Sequence, residues 1–191
     1  MDPRIVMILV AAVAVIAILC GVLIANRSRS RQLKQEFGPE YDRALMQHGD
    51  VYRAEAALTA RRRRVSKLPI RALTPVDRER YAADWLDVQR QFVDDPSTAV
   101  TRADKLVTSV MAARGYPMGD FEQRAADISV HYPMVVQNYR AARQISLRHA
   151  HGESSTEDLR RAMIYYHSLF DELLGLPKSL PIGVTHERIA S

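Results

Sequence analysis

Apolar and polar positions divide the chain into two stretches with different patterns. Ile5 to Ala25 is an unbroken apolar run of 21 residues with no charge, no proline and one glycine, Gly21. At a helical rise of about 1.5 Å per residue it reaches roughly 30 Å, the thickness of a bilayer's hydrocarbon core. Beyond it, apolar residues recur every three or four positions, and no stretch alternates as a strand would. The pattern therefore predicts an all-α chain: one N-terminal transmembrane helix followed by a bundle of about five to seven helices.

Punctuation marks the helices. Leu33, Phe37, Tyr41 and Leu45 recur at four-residue spacing across Gly38-Pro39, where a bend or break is expected. His48-Gly49-Asp50 reads as the stop of that segment and the cap of the next. Val51, Ala54, Leu58, Val65 and Leu68 follow a seven-residue pattern interrupted by Arg61 and ended by Pro69. Thr74-Pro75-Val76-Asp77 is a helix start, with Tyr81, Trp85, Val88 and Phe92 lining one face behind it. Asp94-Asp95-Pro96 stops that helix and caps another, whose buried stripe is Val100, Ala103, Val107 and Val110 before Gly115 and Pro117 end it. Asp120 begins a short helix through Ile128. Pro133 opens a further one with Val135, Tyr139, Ala142 and Ile145 inward, broken by Gly152. Ser155 to Asp158 cap the last helix, where Leu159, Met163, Tyr166, Phe170 and Leu173 face inward until Gly175.

Charge orients the apolar run. Arg27, Arg29, Arg31 and Lys34 follow it, whereas Arg4 alone precedes it, offset by Asp2. A cleaved secretory signal would want a more basic start, a shorter apolar stretch and a small-x-small site, so the run reads as a retained anchor. The positive-inside bias places the C-terminal part in the cytoplasm, at the inner (plasma) membrane. The expected plan is a 1–4 stub outside, a 5–25 span, a 26–174 cytoplasmic domain and a flexible 175–191 tail. Within the domain, 27–68 forms a basic juxtamembrane αα-hairpin and 74–174 the main bundle. The lone Cys20 falls within the span and implies no intrachain disulfide.

The overall charge of +5 is unevenly spread. Residues 27–74 hold 12 Lys/Arg against 5 Asp/Glu, whereas 75–191 hold 14 against 16. The basic excess is membrane-proximal, which suits anionic lipid headgroups better than a nucleic-acid surface spread over the fold.

The stretches Phe92-Val93-Asp94-Asp95-Pro96, Arg114-Gly115-Tyr116-Pro117, Asp120 to Asp127 (DFEQRAAD) and Thr156-Glu157-Asp158-Leu159-Arg160 resemble a family of uncharacterised bacterial single-pass membrane proteins. The resemblance covers most of residues 31–174. It implies the same plan of an N-terminal span and an all-helical cytoplasmic domain, and it implies no site residue.

The run Arg61-Arg62-Arg63-Arg64 is the most conspicuous polar feature. Successive helical residues point about 100° apart, so the four surround their helix instead of forming one patch. One reading is a solvated helix end whose arginines satisfy the last carbonyls. Another is a lipid collar. If 28–48 runs away from the membrane and 51–68 returns, Arg61, Arg62, Arg63 and Arg64 join Arg27, Arg29, Arg31 and Lys34 at the bilayer surface. Nucleic-acid binding is disfavoured, because no stacking aromatics or reading motif accompany the charges. His149 and His151 diverge on a helix, and no metal or cofactor site is assigned. Asp77, Asp95, Asp120 and Asp158 are accounted for as caps, and a carboxylate is expected to be buried against Arg124 as an ion pair. No nucleophile elbow or glycine-rich phosphate loop is present.

The expected function is a non-catalytic, membrane-anchored interaction or scaffolding domain that touches the lipid bilayer and a protein partner the sequence does not name. The alternative is a tethered enzyme or small-ligand sensor with a pocket walled by Tyr81, Trp85, Tyr139 and Tyr166. A third possibility is dimerisation through the Val51–Leu68 seam.

Overall fold

The computed structural model describes residues 3–175, with side chains from Ile16 onward except those of Leu19, Val22 and Leu23. All regular structure among the described residues is α-helical. The order is α1 (Pro3–Phe37), α2 (Pro39–His48), α3 (Val51–Val65), α4 (Pro75–Asp94), α5 (Pro96–Ala113), α6 (Phe121–Ile128), α7 (Val136–Ala150) and α8 (Thr156–Leu174). The expected stub (in part) and the tail from 176 lie outside the described residues. The chain divides into two compact units, Met1–Ala60 and Arg61–Ser191, with the division inside α3.

α1 carries the Ile5–Ala25 run and continues without interruption to Phe37, 35 residues in all. Among the described residues no helix is long and apolar enough to cross a membrane. The side chains of 5–15, 19, 22 and 23 lie outside that description. Those described from the run, such as Ile16, Ile18 and Ile24, are exposed.

The first unit's interior is Leu33 and Phe37 of α1, Tyr41 and Ala44 of α2, and Ala54 and Leu58 of α3, all nearly or fully buried. The expected bend at Gly38 is a full break, with φ 47° and ψ −124°, a backbone that no helix tolerates. Past the break the spacing resets, so Ala44 is buried and Leu45 only partly so. Gly49, at φ 68°, ends α2 by donating its N–H to the Leu45 carbonyl. Asp50 then accepts from the Arg53 N–H at 3.0 Å to start α3.

The seam expected over Val51–Leu68 is buried at Ala54, Leu58 and Val65 but not at Val51, and α3 stops at Val65. Ala54, Leu58 and Val65 are covered within one chain.

In the second unit α4 packs on α5, α5 on α8 and α7 on α8. The starts are capped as the residue types dictate. Thr74, Asp95, Asp120 and Ser155 each accept a backbone N–H three residues on, and Ser155 and Asp158 close a reciprocal capping box. The core gathers the expected faces: Tyr81, Trp85 and Val88; Val100, Ala103, Val107 and Val110; Leu159, Met163, Tyr166, Phe170 and Leu173. Trp85 stacks with Phe170 (centroids 4.7 Å apart) and with His167 (4.9 Å). One boundary differs from expectation. Pro133 lies in a turn, and α7 begins at Val136, because short bonds such as His131 N–H to the Ile128 carbonyl wind 129–135 tighter than a helix. Val136 is buried, while Val135 is only partly so.

Candidate membrane-facing surface

Arg27, Arg29, Arg31 and Lys34 lie on the continuation of α1 and are exposed. Their spacing of two, two and three residues spreads them around the helix, leaving Leu33 and Phe37 on the side that packs. Two of them also touch the protein. Arg29 donates to the Thr59 hydroxyl at 3.2 Å, and the Lys34 ammonium sits 5.1 Å from the centre of the Tyr41 ring.

The α2–α3 corner returns to this same part of α1. Asn26, Arg29 and Ser30 face Asp50, Val51, Tyr52, Glu55 and Ala56 across a cavity of about 310 Å³. A hairpin whose first leg ran unbroken over 28–48 would leave that corner about 30 Å from Asn26. Gly38 folds α2 back, so that α3 starts beside Asn26. Near the corner the Tyr41 phenol donates to Glu55 at 2.9 Å. Burial first, then the Glu55 bond and its charge, push that phenol up to about 12.

The arginine run belongs to the second unit. It occupies the last turns of α3, ten or more residues past the corner. Arg61 donates to the Ser129 hydroxyl at 3.0 Å. Arg64 donates through Nε at 3.0 Å, and again through a terminal nitrogen, to Oδ1 of Asp127, which is 1% exposed. Gln123 adds a third bond to the same oxygen at 3.0 Å. A buried carboxylate needs such company, because removal from water disfavours its charge. A buried ion pair was expected, but with Arg124, which instead donates to the Gly119 carbonyl.

The aromatics proposed as pocket walls have structural partners instead. Tyr81 lies within hydrogen-bond reach of the Ser109 carbonyl and hydroxyl, at 3.4 and 3.3 Å. Tyr139 and Tyr166 are fully buried, burial raises both phenol pKa values, and the Tyr166 hydroxyl lies 3.3 Å from that of Ser146. Trp85 lines an opening. It shares a groove of about 230 Å³ between α4 and α8 with Phe92, Met163, Ile164 and His167. The indole Nε1 is buried without a hydrogen-bond partner.

The described histidines are dispersed. His149 meets the Ser97 hydroxyl, His131 the Tyr116 phenol and His167 the Asp171 carboxylate. Burial, aided by Arg114, lowers the His131 pKa. Among the described residues no three His, Cys, Asp or Glu side chains form a set able to hold a metal ion. Comparison with protein-family models, with curated proteins and with solved structures finds no match to this chain.

Proposed function

We propose that the chain is a membrane-anchored, non-catalytic interaction module, with α1 crossing the bilayer through Ile5–Ala25 and the helical units on the cytoplasmic face. One observation carries the reading. The apolar run passes without a break in α1 into the exposed residues Arg27, Arg29 and Arg31, and Ile16, Ile18 and Ile24 lie bare of protein cover. Lipid is the solvent that relieves such a surface, and the basic flank suits the anionic inner leaflet. Tethering then supplies the mechanism, because confinement to a surface raises the module's effective concentration for membrane-bound protein partners.

The test is fractionation with a reporter fused after Ser191. An unshortened chain that resists alkaline extraction, with a reporter active on the cytoplasmic side, supports the reading. A start trimmed by processing, or a reporter active only on the far side, overturns it.

The α4–α8 groove favours a second reading, a small-ligand sensor. Its volume lies below the range of about 300–1,000 Å³ usual for ligand pockets, and the nearby Arg160 guanidinium is engaged by Glu157 through two bonds of 2.7 and 2.8 Å. Trp85 is the only tryptophan. A metabolite screen that shifts neither its emission nor the melting temperature would retire the sensor reading.

A further inference from the structure

We infer that the α2–α3 corner is a second membrane contact, with Met46, Val51 and Tyr52 resting in the lipid headgroup layer beside the base of the anchor. The inference rests on the anchor reading and adds a surface to it.

Position is the first argument. Asn26 is the first polar residue after the apolar run, so on the anchor reading the headgroup layer begins at that turn of α1. Asp50, Val51 and Tyr52 share a cavity with Asn26, Arg29 and Ser30, which sets the corner at the same depth. The layer is about 5–8 Å thick on each side, enough to take a tyrosine side chain.

Chemistry is the second. Met46 is 79% exposed, Tyr52 81% and Val51 47%, three large apolar side chains within seven residues around a two-residue turn. Tyrosine favours this layer, where its ring meets acyl chain and its hydroxyl meets water. The exposed Arg53 beside them is placed to meet phosphate. Of the corner's acids, Glu55 accepts from Tyr41 and the exposed Asp50 caps α3.

Nitroxide scanning of the full chain, in vesicles of phosphatidylethanolamine and phosphatidylglycerol, tests the inference. The native Cys20 is labelled to report the anchor. In a Cys20→Ala background, Met46→Cys and Tyr52→Cys report the corner, and Val93→Cys on α4, where the native side chain is 82% exposed, gives the aqueous reference. All three sites are open to solvent, so labelling leaves the fold intact. The expected result is a corner label several-fold less accessible to a water-soluble nickel complex than the Val93→Cys label, and readily reached by oxygen. Corner labels as nickel-accessible as the reference, with Cys20 in lipid, overturn the inference while sparing the anchor. Corner labels shielded from nickel and oxygen alike also overturn it, since protein then covers the corner. A Cys20 label in water overturns the anchor reading, and the inference with it.

Discussion

Replacing Gly115 by alanine isolates one contact on which the second unit depends. Gly115 follows α5 at φ 92°, and a Cβ built there would lie 2.6 Å from the Pro69 carbonyl oxygen and 3.2 Å from its carbon. No rotamer change relieves this, because both atoms are backbone. The segment beyond Pro69 is bonded to the end of α5. The Arg71 N–H donates to the Arg114 carbonyl at 2.9 Å, Arg71 Nε to the Ala113 carbonyl at 3.1 Å, and Arg114 Nε to the Arg71 carbonyl at 3.2 Å. Gly115→Ala incurs about 1–2 kcal/mol for a left-handed backbone. It also forces the two segments apart, weakening bonds worth about 1 kcal/mol each. The expected total is about 3 kcal/mol, a fall in melting temperature of roughly 6–12 °C for a chain of this size. Gly152→Ala is the control, because its φ of 76° carries the same backbone cost while nothing lies within 4 Å of the added carbon. It should lose about 1 kcal/mol, or roughly 2–4 °C. Thermal unfolding followed through Trp85, which lies in this unit, measures both variants. Equal losses would refute the argument, since the Pro69 contact would then cost nothing.

Arg64→Ala should lower stability by about 3 kcal/mol in denaturant melts, the low end for a broken buried pair, because Gln123 still bonds Asp127. Removing Asp127 as well should recover much of that loss, and strictly additive losses would count against the pairing. Ser155→Ala should cost about 1 kcal/mol by removing the α8 cap. Bonds from the Ser155 backbone and hydroxyl, then Arg161, hold the Asp158 carboxyl down at about 2 against its usual 3.8. A depressed carboxyl stabilises the fold above its unfolded value and loses that contribution as pH falls, so the gap between wild type and Ser155→Ala should narrow between pH 4 and 2. Tyr41 has the opposite sign. Its raised phenol contributes fully below its ordinary value of 10 and loses that contribution as pH rises through about 12, so Tyr41→Phe should abolish one late step in an ultraviolet tyrosine titration.

The second unit was legible because its signals are local. A cap such as Ser155 and a stripe such as Leu159, Met163, Tyr166, Phe170 and Leu173 fix one helix and its buried face without reference to anything distant. The α7 start was misread because Pro133 suits a first helical turn equally well as an isolated turn, and only the bonds of 129–135 choose between them. The path of the chain after α1 was legible only in part, for a related reason. Gly38-Pro39 announces an interruption but not its angle, and at φ 47° the chain folds back instead of bending. The partner of Arg64 was illegible in principle, since Asp127 lies 63 residues away and DFEQRAAD offers three carboxylates. Burial, which separates Asp127 from the exposed Glu122, is a property of the packed structure alone.

Four consecutive arginines invite a surface reading, yet two of them are consumed in holding α3 to Ser129 and Asp127. Charge density in a sequence measures what must be solvated or paired, not what faces a partner. The same distinction applies to apolar residues. Val76, Leu86, Val93, Met118, Met134, Leu147 and Ile164 are exposed on several elements of the second unit, as on any globular surface. Met46, Val51 and Tyr52 instead share one corner, and that corner lies where the apolar run of α1 gives way to arginine. On the anchor reading proposed above, lipid is the solvent that suits such clustered exposure. A module held there twice, by a span and by a corner, would present its remaining faces in a restricted orientation. Restricting orientation, like restricting position, strengthens binding to partners in the same membrane without any new contact between them.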